Sequence, residues 1–64
     1  MRPTTTISVI FQTATARAVC VRETEDGEDI WLPLSQIEVD DDADRGEEID
    51  LTAPDWLLED KGLL

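Results

Sequence analysis

Sixty-four residues carry 16 Asp and Glu against five Lys and Arg and no His, a formal net charge of −11. At this length one small core is the limit, with roughly 60% of the unfolded surface available for burial, and an apolar share of 41% is enough for a folded domain and too high for an acidic disordered tail. Direct nucleic-acid binding is disfavoured because neutralising phosphates needs Lys and Arg, and a lone cysteine, Cys20, without any histidine excludes an internal disulfide, a Cys/His zinc site and a Cys–His nucleophile pair. The longest apolar run, residues 18–21, is far below the ~20 residues that cross a bilayer, and the first residues do not resemble a secretory leader. A reducing, cytoplasmic setting is the expectation.

In chain order, residues 4–12 (T-T-T-I-S-V-I-F-Q) are rich in β-branched side chains and set Ile7, Val9 and Phe11 against Thr6, Ser8 and Ile10, the period-2 pattern of a half-buried strand. Residues 16–23 alternate again, with Val19 and Val21 on one face and Ala18 and Cys20 on the other. Asp26-Gly27 predicts a tight hairpin, with Gly27 at positive φ, into a third strand over residues 28–32 that pairs antiparallel with the second. Pro33 has no N–H for a ladder, so the strand ends there, and residues 34–36 form a short turn. Residues 37–39 and 48–52 are the fourth and fifth strands, separated by an acidic loop. A helix over residues 54–61 follows, with Pro54 at its start, Asp55 toward the positive end of its dipole, and Lys61-Gly62 as its last turn and C′ glycine. Trp56 and Leu57, repeated seven positions later as Leu63 and Leu64, predict a stripe laid across the open face of the sheet.

The fold expected is therefore α+β, mainly β: an antiparallel sheet of four or five strands, curled toward an SH3-like barrel, with one short C-terminal helix. Its core should contain Ile7, Val9, Val19, Val21, Ile30, Leu32, Ile37, Leu51, Trp56 and Leu57. Trp31 and Trp56 are expected as core anchors, and truncating a buried Trp56 would cost ~3–5 kcal/mol.

Charge is distributed unevenly. Residues 1–22 hold three arginines and no acid, while residues 23–64 hold all 16 acids with only Arg45 and Lys61 to offset them. Residues 38–48 (E-V-D-D-D-A-D-R-G-E-E) place seven carboxylates in eleven positions, more than solubility requires. One reading is a solvated loop. A second is a calcium loop, since Asp40, Asp42 and Asp44 alternate before Gly46. That pattern departs from an EF-hand because Arg45 intervenes before the glycine and Leu51 stands where the bidentate Glu belongs. The third, preferred here, is a docking surface offering carboxylates to the arginines and lysines of a partner. The candidate partner-binding residues are Glu38, Asp40, Asp41, Asp42, Asp44, Glu47, Glu48 and Asp50, with no metal or cofactor implied. Enzyme chemistry is not expected: the chain has no phosphate-binding glycine loop or nucleophile motif, and so small a domain has little volume for a cleft. Cys20 between Val19 and Val21 reads as a small buried hydrophobe.

Residues 16–39 (A-R-A-V-C-V-R-E-T-E-D-G-E-D-I-W-L-P-L-S-Q-I-E-V) and 53–63 (A-P-D-W-L-L-E-D-K-G-L) resemble a recurrent type of very small phage and prophage protein. Its layout is an alternating strand, a D-G turn, a W-L-P-x-S-Q-I-E segment and a terminal P-x-W-L-x-x-K-G-L helix. Some very small acidic phage proteins are anti-CRISPR proteins, which occupy the DNA-binding surface of a bacterial interference complex. The resemblance thus implies an inhibitor that acts by binding in the host cytoplasm, with a CRISPR–Cas effector as the kind of partner. The alternative is an accessory phage protein that binds a recombination or replication factor, with acidity mainly for solubility. The acidic stretch between Val39 and Ile49 lies outside the shared layout and so carries what is particular to this chain.

Overall fold

The structure, a computed structural model, describes residues 3–40 and 42–64. Five strands run in the order β1 (Thr4–Ala14), β2 (Ala18–Arg22), β3 (Ile30–Pro33), β4 (Glu38–Val39) and β5 (Glu48–Pro54), followed by one helix, α1 (Asp55–Asp60). They form a single sheet of order β3-β2-β1-β5-β4 in which every neighbouring pair is antiparallel. This is the mainly β architecture the alternation predicts. Among the described residues no helix is long and apolar enough to cross a membrane.

The longest strand takes the centre because a β-branched run can pair on both edges. β1 is matched to β5 from Thr4↔Pro54 to Ile10↔Glu48, and to β2 from Ile10↔Arg22 to Ala14↔Val19. The β2 register slips between Phe11↔Val21 and Thr13↔Cys20, which leaves Gln12 as an extra residue, a bulge that tightens the local twist. Thr15 closes this hairpin: its N–H donates to the Ala18 carbonyl at 2.8 Å, and its Oγ1 accepts from the N–H groups of Arg17 (3.3 Å) and Ala18 (3.2 Å).

The link between β2 and β3 differs from the expected tight hairpin. The strands do pair antiparallel, Val21 opposite Ile30, but residues 23–29 form a longer loop and Gly27 does not have a positive φ. Arg22 organises the loop instead. Its Nε donates to Asp29 Oδ1 at 2.6 Å and a terminal nitrogen donates to the Glu25 carbonyl at 3.1 Å, so a two-residue turn would discard a charge-assisted clamp.

β3 and β4 sit at opposite rims of the sheet, yet only residues 34–37 connect them. In a flat sheet four strand spacings of ~4.8 Å would separate these rims by about 19 Å. The register adds to that: Pro33 lies level with Ala18, beyond the end of β1, whereas Glu38 lies level with Thr52 and hence with Thr6. Five Cα steps span at most about 17 Å. The sheet must therefore curl, with strands staggered as in a small barrel. The short 3₁₀ turn Leu34–Gln36 bridges the two rims. Its Leu34 N–H donates to Arg17 at 2.8 Å, and Ser35 and Gln36 share a hollow with Thr4 and Thr52. No ladder joins β3 to β4, so the sheet remains open along that seam.

Inside the curl lie Val9, Phe11, Val19, Val21, Leu32, Ile49, Leu51, Ala53, Leu57 and Leu58. Ile7, Ile30 and Ile37 are only half-buried against them. Trp56 is the clear departure from expectation, being 45% exposed, as is Trp31 at 46%. The reason is helical phase. At ~100° per residue, a helix that points Leu57 and Leu58 inward turns Trp56 about 150° from their mean direction, and six residues leave no second turn on which the predicted stripe could form. Leu63 is half-buried and Leu64 exposed.

The helix end follows its sequence signal. Gly62 has φ +75, its N–H donates to the Glu59 carbonyl at 3.1 Å, and the Leu63 N–H reaches back to Leu58 at 2.7 Å, which together form a Schellman motif. At the other end Pro54 closes β5 and Asp55 opens α1. Asp55 is pinned to the start of β1, with its N–H on the Pro3 carbonyl at 3.1 Å and its Oδ1 accepting from Thr5 Oγ1 at 2.6 Å.

Candidate functional site

Alternation along β5 turns Ile49, Leu51 and Ala53 into the core and leaves Glu48 and Asp50 on the outer face, both exposed. Glu38 of β4 is paired with Thr52, and it is exposed while its neighbour Val39 packs on the core. Glu48 and Asp50 are therefore spaced about 7 Å apart along one strand, with Glu38 diagonal to Asp50 at a similar distance. Small polar side chains of β1 hold this face. Ser8 Oγ donates to Asp50 Oδ1 at 3.4 Å, and the Thr6 and Thr52 hydroxyls share a 2.6 Å hydrogen bond.

The other predicted site residues lie in the loop between β4 and β5. Asp40, Asp42, Asp44 and Glu47 are all exposed, and Asp41 lies outside the described residues. Local backbone bonds shape the loop. Asp40 Oδ1 accepts from the Asp42 N–H at 3.0 Å, and the Glu47 N–H donates to the Asp44 carbonyl at 3.0 Å. Gly46, with φ +88, allows the chain to turn back onto β1. Its N–H donates to the Phe11 carbonyl at 2.7 Å, and the Phe11 N–H donates to the Glu47 carbonyl at 2.9 Å. A three-acid strand face and the acidic loop, with four described acids, thus meet at Glu47-Glu48. Among the described residues the one ion pair is Arg22–Asp29, on the far side of β1, so none of these carboxylates is ion-paired with a described residue, although Arg45 follows Asp44 in the loop. No group of three or more His, Cys, Asp or Glu among the described residues is arranged to hold a metal ion.

Cys20 occupies the outer side of β2 between Thr13 and Trp31, and it is buried. Burial raises its pKa, and the charge of Asp29 pushes in the same direction, so the thiol stays protonated and unreactive. Sequence reasoning missed a second surface. Trp56 stands over a shallow hollow with Pro3, Asp55 and Glu59, residues from opposite ends of the chain that the Asp55 hydrogen bonds bring together. The signal was present in the spacing of Glu59, four positions after Asp55 and three after Trp56, which makes it a helical neighbour of both. Comparison with protein-family models, with curated proteins and with solved structures found no match.

Proposed function

We propose that the protein acts by binding: its acidic face occupies a positively charged nucleic-acid-binding surface of a partner complex and inhibits it, in the manner of an anti-CRISPR protein. The observation that carries this reading is the file of Glu38, Asp50 and Glu48 on the outer face of the sheet, continued by loop acids of which none is ion-paired with a described residue, Arg45 included. Carboxylates on strands stand on backbone that is already ordered, so binding forfeits little backbone entropy there. Regular spacing along a strand suits a row of arginines and lysines that otherwise tracks a phosphate backbone, and interference complexes hold their nucleic acids in such cationic channels. The charge of −11 steers encounter over the Debye length, ~8 Å at physiological salt. The mechanism is competitive and non-covalent: the protein enters the channel, pairs its carboxylates with the partner's cations and excludes nucleic acid.

The test is to replace Asp40, Asp41, Asp42, Asp44, Glu47 and Glu48 by Asn or Gln, six changes that take the net charge from −11 to −5. Affinity for the partner recovered from host lysate, and inhibition of that partner's DNA binding, are measured at two ionic strengths. Each lost charge-assisted contact weakens binding by roughly 1.5–3 kcal/mol, and the salt dependence should flatten. Affinity that is unchanged and insensitive to salt in both proteins would sink the proposal and assign the acids to solubility alone.

A further inference from the structure

We propose that the hollow between Pro3 and the exposed face of α1 seats an arginine side chain of a partner protein, stacked on Trp56 and held by the Glu59 and Asp55 carboxylates. The hollow measures about 370 Å³ and is lined by Pro3, Asp55, Trp56 and Glu59. Two adjoining features decide its chemistry. The first is that Trp56 is left 45% exposed while the neighbouring leucines are buried, so its side chain does not contribute its full area to the core. The second is a pair of carboxylates lining the same hollow as that ring, from Glu59 three positions on and Asp55 one position back, with Asp60 exposed a turn away. A guanidinium fits this pair better than an ammonium or an aliphatic anchor. Its flat face stacks on an indole while its edge donates two parallel bonds to a carboxylate, and an apolar anchor would desolvate Glu59 without a partner.

The seat is preformed. Thr5 Oγ1 fixes Asp55 Oδ1 at 2.6 Å and leaves its other oxygen free of that bond, and the Asp55 N–H on the Pro3 carbonyl sets the wall opposite the ring. A second copy of this chain is a poor occupant, because two bodies of −11 repel and each has few cations to offer. Trp31 is exposed to a similar degree but does not line this hollow, which makes it an internal control. This inference rests on the reading that the partner's surface is cationic, and it adds a point of orientation separate from the acidic strand face.

The experiment follows the two indole N–H resonances of the full chain, assigned with Trp31→Phe, during titration at 0.15 M salt. The probes are acetyl-Gly-Gly-Arg-Gly-Gly-amide and the same peptide with citrulline or lysine in place of arginine. The arginine peptide should shift Trp56 saturably and Trp31 little, with citrulline binding at least about tenfold more weakly and lysine in between. Glu59→Gln should weaken the Trp56 response several-fold, and Trp56→Leu, which keeps apolar bulk and is followed by the backbone amide resonances of Asp55 and Glu59, should abolish the preference for arginine; circular dichroism confirms that both remain folded. Equal binding of the citrulline peptide, or a Trp56 resonance that does not move, would overturn the seat. The sixfold acid-run variant separates the two ideas. A retained Trp56 response alongside unchanged partner affinity would remove the acidic-face mechanism and keep the seat, whereas lost partner affinity with a citrulline-tolerant Trp56 would do the opposite.

Discussion

The middle of the sheet and its loops are made of different materials. β2, β1 and β5 supply most of the core, from Val9 and Phe11 through Val19 and Val21 to Ile49, Leu51 and Ala53, and among them carry only Arg22, Glu48 and Asp50 as charged residues. The loops 23–29 and 40–47 hold ten of the 16 acids and no residue of the buried cluster. Such a division keeps self-repulsion in water, where it is screened, and away from the packed interior, where it would be costly. It teaches that cohesion and charge can be altered independently in this molecule, and the largest changes in stability should come from the centre.

Leu51→Ala removes a fully buried side chain opposite Ile7 and should cost ~2–5 kcal/mol, most of a small domain's stability, read as loss of a cooperative denaturant transition. A variant that melts like the parent would mean that cohesion lies elsewhere. Thr5→Val severs the tie between β1 and α1 and leaves Asp55 Oδ1 without its hydroxyl donor, with an expected loss of about 1–2 kcal/mol in urea unfolding. Trp56→Ala should cost about 1 kcal/mol or less, the scale of a surface substitution, rather than the 3–5 kcal/mol of a buried ring; a larger loss would return Trp56 to the core. Neutralising the six acids of residues 40–48 should leave the midpoint of thermal unfolding unchanged or slightly higher, within ~0.5 kcal/mol. A marked fall would show that the loop acids hold structure after all. The smallest effect is at Cys20. Its folded pKa lies above the ordinary 9.0 because of burial and then Asp29. The thiol's contribution to stability is therefore complete below that ordinary value and declines as pH rises above it toward the folded value. A thiol-reactive disulfide reagent at pH 8 should label the folded protein far more slowly than the urea-unfolded chain. Equal labelling rates would contradict the burial.

Local signals were legible wherever the chain obeys one period. Alternation located all five strands, and Lys61-Gly62 marked the helix end because a glycine at positive φ has few substitutes in a Schellman motif. Features that depend on distant partners were not legible. Asp26-Gly27 suggested a tight turn, but Arg22 and Asp29, seven residues apart, formed a better clamp, and the glycine that did need positive φ beside the acid run was Gly46. Size points Trp31 inward, and size together with the seven-residue spacing to Leu63 points Trp56 inward, whereas the phase of α1 is set by Leu57 and Leu58 fitting the curl. For the candidate site, period 2 was enough to put Glu48 and Asp50 on the outer face. Nothing in the sequence could place Glu38 beside them, since that needs the β4–β5 register, or bring Pro3 against Trp56 across 50 residues.

Pro33 has a consequence at the scale of many molecules. Leu34 turns its N–H toward β2, so by the alternation of an antiparallel ladder Leu32 faces β2 as well, while Trp31 and Pro33 face away. Of these two outward positions Trp31 keeps its donor but Pro33 has none, and the opposite rim is a strand of only two residues. Sheet growth is thus terminated at both ends by geometry as well as by electrostatics. The protein should stay dispersed at high concentration even near its isoelectric point of about 4.1, where net charge no longer keeps the copies apart.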